Sequence, residues 1–175
     1  DEGCPAVLAD TTAFHQILMN LCTNAYHAME ANGGVLRVCL SHRILDEDYI
    51  ASEFDEQGDG IAPGHYARID VRDTGYGMDE ATRQRIFDPY FTTKEPGSGT
   101  GLGLATVHGI VKELKGFVYV YSEKDIGSTF SVFLPVTSEA TRGEGSPMAR
   151  VEGGSNERIL FVDDDESICR FAEKS

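Results

Sequence analysis

The sequence predicts an α/β protein. Two long stretches carry apolar residues at helical spacing, shorter stretches alternate or run apolar in the manner of strands, and glycine-rich turns separate them. With 175 residues, 41% of them hydrophobic, the chain is long enough for one well-packed domain and part of another.

Ala6-Val-Leu-Ala9 is a short apolar run that reads as an edge strand, and Asp10 is placed to cap the helix that follows. From Thr11 to Ala31, Phe14, Ile17, Leu18, Leu21, Cys22, Ala25, Ala28 and Met29 mark one helical face, and Asn32-Gly-Gly34 ends the helix. Val35 to Leu45 alternates as a strand. Both of its faces are partly apolar, which predicts a central position in the sheet. Asp46 to Gly64, acidic and glycine-rich, reads as a solvated hairpin loop.

Tyr66 to Val71 is the next strand. Asp79 caps a short helix through Ile86, and Pro89 stops it. Phe87 to Gly101 has no periodicity and reads as a long loop, a candidate lid. Leu102 to Leu114 is a second amphipathic helix, ended by Lys115-Gly116. Phe117 to Tyr121 and Ser128 to Leu134 are two strands around a Lys-Asp-Ile-Gly turn. Residues 137–156 have a linker composition. Arg158-Ile-Leu-Phe-Val162 is a buried type of strand that ends in Asp163-Asp-Asp165.

A net charge of −14 argues against nucleic acid and membrane surfaces, because phosphate contacts need a basic face. The four cysteines are scattered, with no CxxC pair and no histidine at zinc spacing. Cys22 and Cys39 sit in apolar patterns and read as buried thiols, which fits a reducing, cytoplasmic compartment. No apolar run reaches membrane-span length and no signal peptide is present. The absence of an initial Met reads as a piece cut from a longer protein, whose membrane anchoring stays open.

Three stretches carry chemistry. Asn20 and Asn24 lie one turn apart on the first helix; a carboxamide can offer oxygen to Mg²⁺ and a hydrogen bond to phosphate. Alone, the pair reads as an ordinary polar face, but the apolar Leu21, Ala25 and Ala28 around it require at least one Asn to face inward. Asp73 ends an apolar run and precedes Gly75 and Gly77. A carboxylate there accepts from the exocyclic amine of adenine and rejects the oxygen of guanine, although a turn aspartate before glycine is common. Asp73-Thr-Gly is also the aspartic-protease triplet. That chemistry needs two carboxylates sharing a proton; no second copy exists here, and a homodimer would have to supply it. Gly97 to Gly103 holds four glycines in seven residues and enters a helix directly. It is neither a Walker loop nor a dinucleotide fingerprint, but a helix start with bare amides attracts phosphate, with Thr100 adding a hydroxyl and Lys94 a cation. Together the three stretches read as a site for a purine nucleoside triphosphate.

In order, Asn20-Leu-Cys-Thr-Asn24-Ala, Asp73-Thr-Gly-Tyr-Gly77-Met, Ile86-Phe-Asp-Pro-Tyr-Phe-Thr-Thr-Lys94, Gly99-Thr-Gly-Leu-Gly103-Leu and Gly127-Ser-Thr-Phe130 resemble the catalytic ATP-binding domain of sensor histidine kinases, within the Bergerat-type ATPases. The resemblance spans about Ala6 to Pro135. It implies a two-layer α/β sandwich: a mixed, mainly antiparallel sheet of about five strands, helices on one face and a flexible ATP lid. It implies domains at 1–136 (ATP-binding), 137–156 (linker) and 157–175. The last resembles the start of a response-regulator receiver domain, with Asp163 and Asp164 matching its Mg²⁺-binding acidic pair, so the parent would be a hybrid kinase.

The same resemblance assigns roles by position. Asn24 is the Mg²⁺ ligand and Asn20 its phosphate-side companion. Asp73 reads adenine beside Gly75 and Gly77, with Thr129 near it through water. Gly99, Thr100, Gly101, Leu102 and Gly103, with Lys94, cradle the phosphates, and Phe87 and Phe91 anchor the lid. ATPases of this superfamily carry a glutamate one turn before the metal-binding asparagine. Asn20 stands there instead and cannot act as a base, so slow hydrolysis and phosphoryl transfer are expected. The implied acceptor is a histidine on a helical dimerisation hairpin that this chain lacks; His15, His27, His42, His65 and His108 do not sit in such a hairpin. The partners implied are that hairpin, a receiver domain or response regulator, and a second subunit of a homodimeric parent. A nucleotide-gated interaction module without kinase activity is the competing expectation.

Overall fold

A computed structural model describes residues 6–54, 61–94 and 99–137. All of them fall within the first of two units, Asp1–Ala140; the second unit, Thr141–Ser175, and with it the expected receiver start and Asp163 and Asp164, lies outside the described residues.

Helix α1 (Thr11–Met29) begins where Asp10 accepts from the Thr12 amide at 3.0 Å, and it buries Ile17, Leu21 and Ala25. Strand β1 (Arg37–Leu45) follows, then helix α2 (Glu47–Glu53) and strand β2 (Gly64–Arg72). Helix α3 (Glu80–Arg83) is a single turn capped by Asp79. Helix α4 (Gly103–Glu113) leads into the hairpin of β3 (Phe117–Glu123) and β4 (Gly127–Pro135).

The four strands form one sheet in the order β1-β2-β4-β3, antiparallel at every pairing. The α/β class holds. Among the described residues the sheet is not mixed and has four strands rather than about five, because the segment before α1 makes only an isolated bridge, Val7 with Val136. Expected in the middle of the sheet, β1 is instead at its edge. Its alternation predicts a strand, but an apolar residue on each face does not say whether a neighbour covers it. Cys39 is accordingly exposed rather than buried, and Cys22 is half-buried against the core.

The main core lies between the sheet and the pair α1 and α4. It joins Ile17 and Leu21 to Val107 and Val111 of α4 and to Ile69, Val71, Val120, Phe130, Val132 and Leu134 of the sheet. The opposite face is not bare. Asp46 caps α2 by accepting from the Tyr49 amide at 2.7 Å, and α2 brings Phe54 over the sheet. Phe54 meets Phe117, Tyr119 and Phe133 edge to face, and Leu45 and Tyr66 complete this second cluster. The expected solvated loop therefore contains a helix on the second face; its density of acids, including the cap and first turn, masked the apolar set Tyr49, Ile50 and Phe54.

Candidate functional site

A cleft of about 370 Å³ opens between α1, the turn after β2, the start of α4 and the first residues of β4. Of the residues expected to form a site, it brings together Asn20, Asn24, Asp73, Gly77, Lys94, Gly99, Thr100, Gly101 and Gly103.

Asp73 sits where β2 leaves the sheet. Its amide donates to the Ser128 carbonyl at 2.9 Å, and its Oδ1 accepts from the amides of Gly75 at 2.8 Å and Ser128 at 3.3 Å. The residue is 4% exposed. Its Oδ2 has no partner among the described residues and remains an acceptor at the cleft wall. Burial pushes the carboxyl above its ordinary range, against the two amides that pull it down.

The turn around Asp73 is held by close backbone packing. Gly77 has φ +61°, and a side chain there would collide with the Glu123 carbonyl oxygen. The Tyr76 amide donates to Ala28 of α1 at 3.2 Å, and the Tyr76 carbonyl accepts from Asp125 of the β3–β4 turn at 2.7 Å. Gly75 lies behind the wall against Ala28 and does not line the cleft.

At the other end, α4 starts without a side-chain cap: Leu102 occupies the cap position, and its own amide reaches Thr100 Oγ1 at 3.4 Å. The Gly103, Leu104 and Ala105 amides have no acceptor among the described residues, so the positive end of the helix is open toward the cleft that Gly103 and Leu104 line. Leu102 itself is turned out to solvent. The Tyr90 amide donates to the Gly101 carbonyl at 3.0 Å, tying the two ends of the long loop together; residues 95–98 lie outside the described set. Phe87 and Phe91 pack on the core, Phe91 also lines the cleft, and the Arg85 guanidinium stands 4.4 Å over the Phe91 ring.

Asn20 spends its Nδ2 on the Gln16 carbonyl one turn back, at 2.8 Å. Its Oδ1 faces the start of α4, where a Cβ on Gly103 would lie 2.9 Å away. Asn24 lines the cleft with no hydrogen-bond partner among the described residues. Among the described residues Asp73 is the sole carboxylate of the cleft, whereas Lys94 and His27 both line it.

Thr129 is not on the cleft. Residues alternate along β4, so Ser128 and Phe130 face the cleft and Thr129 faces the other side of the sheet, between Arg72 and Tyr121. Ser128 is a cleft residue that sequence reasoning passed over, and His27, one turn after Asn24 and expected as a solvated helix residue, lines the cleft as well. The alternation around the core residue Phe130 was the clue to Ser128.

Residues 9–138 match the family of histidine kinase-, DNA gyrase B- and HSP90-like ATPases. The chain is 34% identical over 170 residues to the sensor kinase CckA of Brucella abortus (strain 2308), covering 93% of this chain and 17% of that protein. It is 39% identical over 136 residues to the sensor histidine kinase ZraS of Escherichia coli (strain K12), covering 78% and 24%. It therefore spans about a fifth of the length of these curated relatives. Among solved structures it resembles full-length ShkA in complex with AMPPNP, with a TM-score of 0.53 and 30% identity over 75% of this chain and 23% of that one. It also resembles the nucleotide-free catalytic domain of the histidine kinase ThkA, with a TM-score of 0.53 and 27% identity over 74% of this chain and 71% of that one.

Proposed function

The chain belongs to the histidine kinase-, DNA gyrase B- and HSP90-like ATPase family, and from that premise we propose that it binds ATP in the cleft and donates the γ-phosphoryl group to a histidine of a separate helical hairpin. The observation that carries the reading is the polarity of one cleft. A buried carboxylate with a free oxygen stands at one end, and an uncapped helix start with three free amides stands at the other. Adenine fits the acceptor and phosphates fit the amides.

Asp73 Oδ2 accepts from the exocyclic amine, while Oδ1 stays engaged with the Gly75 and Ser128 amides and keeps the carboxylate in place. The Gly103, Leu104 and Ala105 amides and Lys94 receive the phosphates. Among the described residues no group of three His, Cys, Asp or Glu side chains could hold a metal by itself. A Mg²⁺ ion brought with the nucleotide would be held by the carboxamide oxygen of Asn24, with Asn20 one turn before it on the same helix. Mg²⁺, when bound there, neutralises charge on the phosphates. Neither asparagine can take a proton from water, so the site favours transfer to a positioned acceptor over hydrolysis.

The reading extends to the parent: a cytoplasmic kinase region that works with a dimerisation hairpin and a receiver domain in a phosphorelay. Relatives named as sensor kinases support it. Within the described residues no helix is long and apolar enough to cross a membrane. The test is to mix the chain with a separately produced dimerisation hairpin, Mg²⁺ and γ-labelled ATP. The expected product is acid-labile, base-stable phosphohistidine on the hairpin. Nucleotide binding with no label transferred would favour an interaction module instead.

A further inference from the structure

We propose that the free edge of β1 is a docking site for an extended segment of a partner protein whose side chains alternate between apolar and acidic. β1 ends the sheet, and no backbone hydrogen bond from another described residue reaches its outer side. The register with β2 sorts its side chains. Val38 and Leu40 stand opposite Val71 and Ile69, both core residues, so Leu36, Val38, Leu40 and Ile44 share the face that α1 and α4 cover further in. Those helices do not reach β1: the four residues are 40%, 49%, 47% and 61% exposed. The row is apolar through Leu40 and is interrupted before Ile44 by His42, which stacks on His65 of β2; an exposed, partly apolar edge strand is a template for another strand.

The other face of β1 carries the opposite chemistry. Arg37 and Arg43 project there, and Arg37 lies directly across from Arg72. Neither Arg37 nor Arg72 has an ion pair among the described residues, although like charges facing each other across a ladder repel. Cys39 and Ser41 separate the two arginines of β1, and Asp70 opposite Cys39 is already paired with Arg68, so Arg37 and Arg43 at the edge, with Arg72 beside Arg37, favour an acidic neighbour. A strand laid along β1 would set one row of its side chains on the apolar face and the alternate row beside Arg37 and Arg43. Backbone pairing supplies affinity and the alternation supplies selectivity.

Charge also discriminates against the other occupants. Two copies of β1 paired antiparallel about Leu40 would put Arg37 against Arg43 twice, so self-pairing in that register is disfavoured. No stretch of the chain alternates apolar and acidic residues over five positions, so it does not offer its own occupant.

The probe is a synthetic nine-residue peptide alternating valine and glutamate, with a valine–lysine peptide as control, added to the full chain without nucleotide. Backbone amide exchange is followed residue by residue. The glutamate peptide is expected to slow exchange in β1 selectively, and the lysine peptide to leave it unchanged. In the Arg37→Glu, Arg43→Glu double variant, with exchange in β2 to β4 retained, the glutamate peptide should bind about tenfold more weakly and the lysine peptide should gain binding. Equal effects of both peptides on the native chain, protection centred outside β1, or no protection at all would each overturn the proposal. A chain that dimerises through β1 without peptide would overturn it in favour of self-association. Because nucleotide is omitted, none of these outcomes depends on the ATP reading.

Discussion

Asp73 and Ser128 hold each other across the end of the sheet: the Asp73 amide donates to the Ser128 carbonyl at 2.9 Å, and the Ser128 amide donates to Asp73 Oδ1 at 3.3 Å. The acid is thus positioned by backbone from a strand 55 residues away in sequence. One carboxylate oxygen is committed to the fold, and the other has no partner among the described residues.

Asp73→Asn is expected to keep the fold and lose the nucleotide. The new Oδ1 can still accept from the Gly75 and Ser128 amides, but the amide group would then face the adenine amine donor to donor. Loss of a charged hydrogen bond, about 1.5–3 kcal/mol, predicts ATP binding weaker by about 10- to 100-fold. Calorimetric titration measures it, and unchanged affinity would remove the adenine role from Asp73.

The same substitution reports the raised pKa of Asp73. The native state holds this proton more tightly than the unfolded chain, whose carboxyl has the ordinary value of 3.8. The contribution to stability is therefore fully present below 3.8 and is lost as pH rises through the native value. Across that window the native chain should lose stability relative to Asp73→Asn. Denaturant unfolding of both proteins from pH 3 upward measures the difference; a gap that moves the other way would show a lowered native pKa.

Asn24→Ala should remove the Mg²⁺-dependent gain in ATP affinity and spare the rest. Titrations in Mg²⁺ and in chelator separate the two. Equal losses under both conditions would assign Asn24 to the phosphates or to packing instead of the metal.

Gly77→Ala should destabilise the fold by about 2 kcal/mol or more, because a left-handed backbone and a blocked side-chain position act together. The obstacle is the rigid Glu123 backbone, which cannot swing aside. A shifted denaturation midpoint at unchanged slope is the expected result; a neutral substitution would mean that the β3–β4 turn yields.

Phe54→Ala should cost about 3–5 kcal/mol, the range for a buried aromatic. Phe54 is 2% exposed beneath α2, on the face of the sheet away from the cleft. ATP affinity measured well below the melting temperature should hold. Near-neutral stability would mean that α2 does not close this face.

The sequence by itself determined most of the local elements and pointed to several residues that the cleft brings together, among them Asn20, Asn24, Asp73 and Gly103. Helical spacing located α1 and α4, Asp10 and Asp79 marked the caps of α1 and α3, and the glycines around Asp73 and before α4 marked backbone under special demand. These are short-range effects of periodicity, capping and φ preference, and they are written within a few residues. Tertiary structure decided what depends on a distant neighbour. It put β1 at the edge, because alternation carries no record of which side is paired. It brought α2 onto the second face, because Phe54 becomes core only where Phe117 and Phe133 meet it. It turned Ser128 rather than Thr129 to the cleft, because strand residues alternate and a shift of one position exchanges the faces.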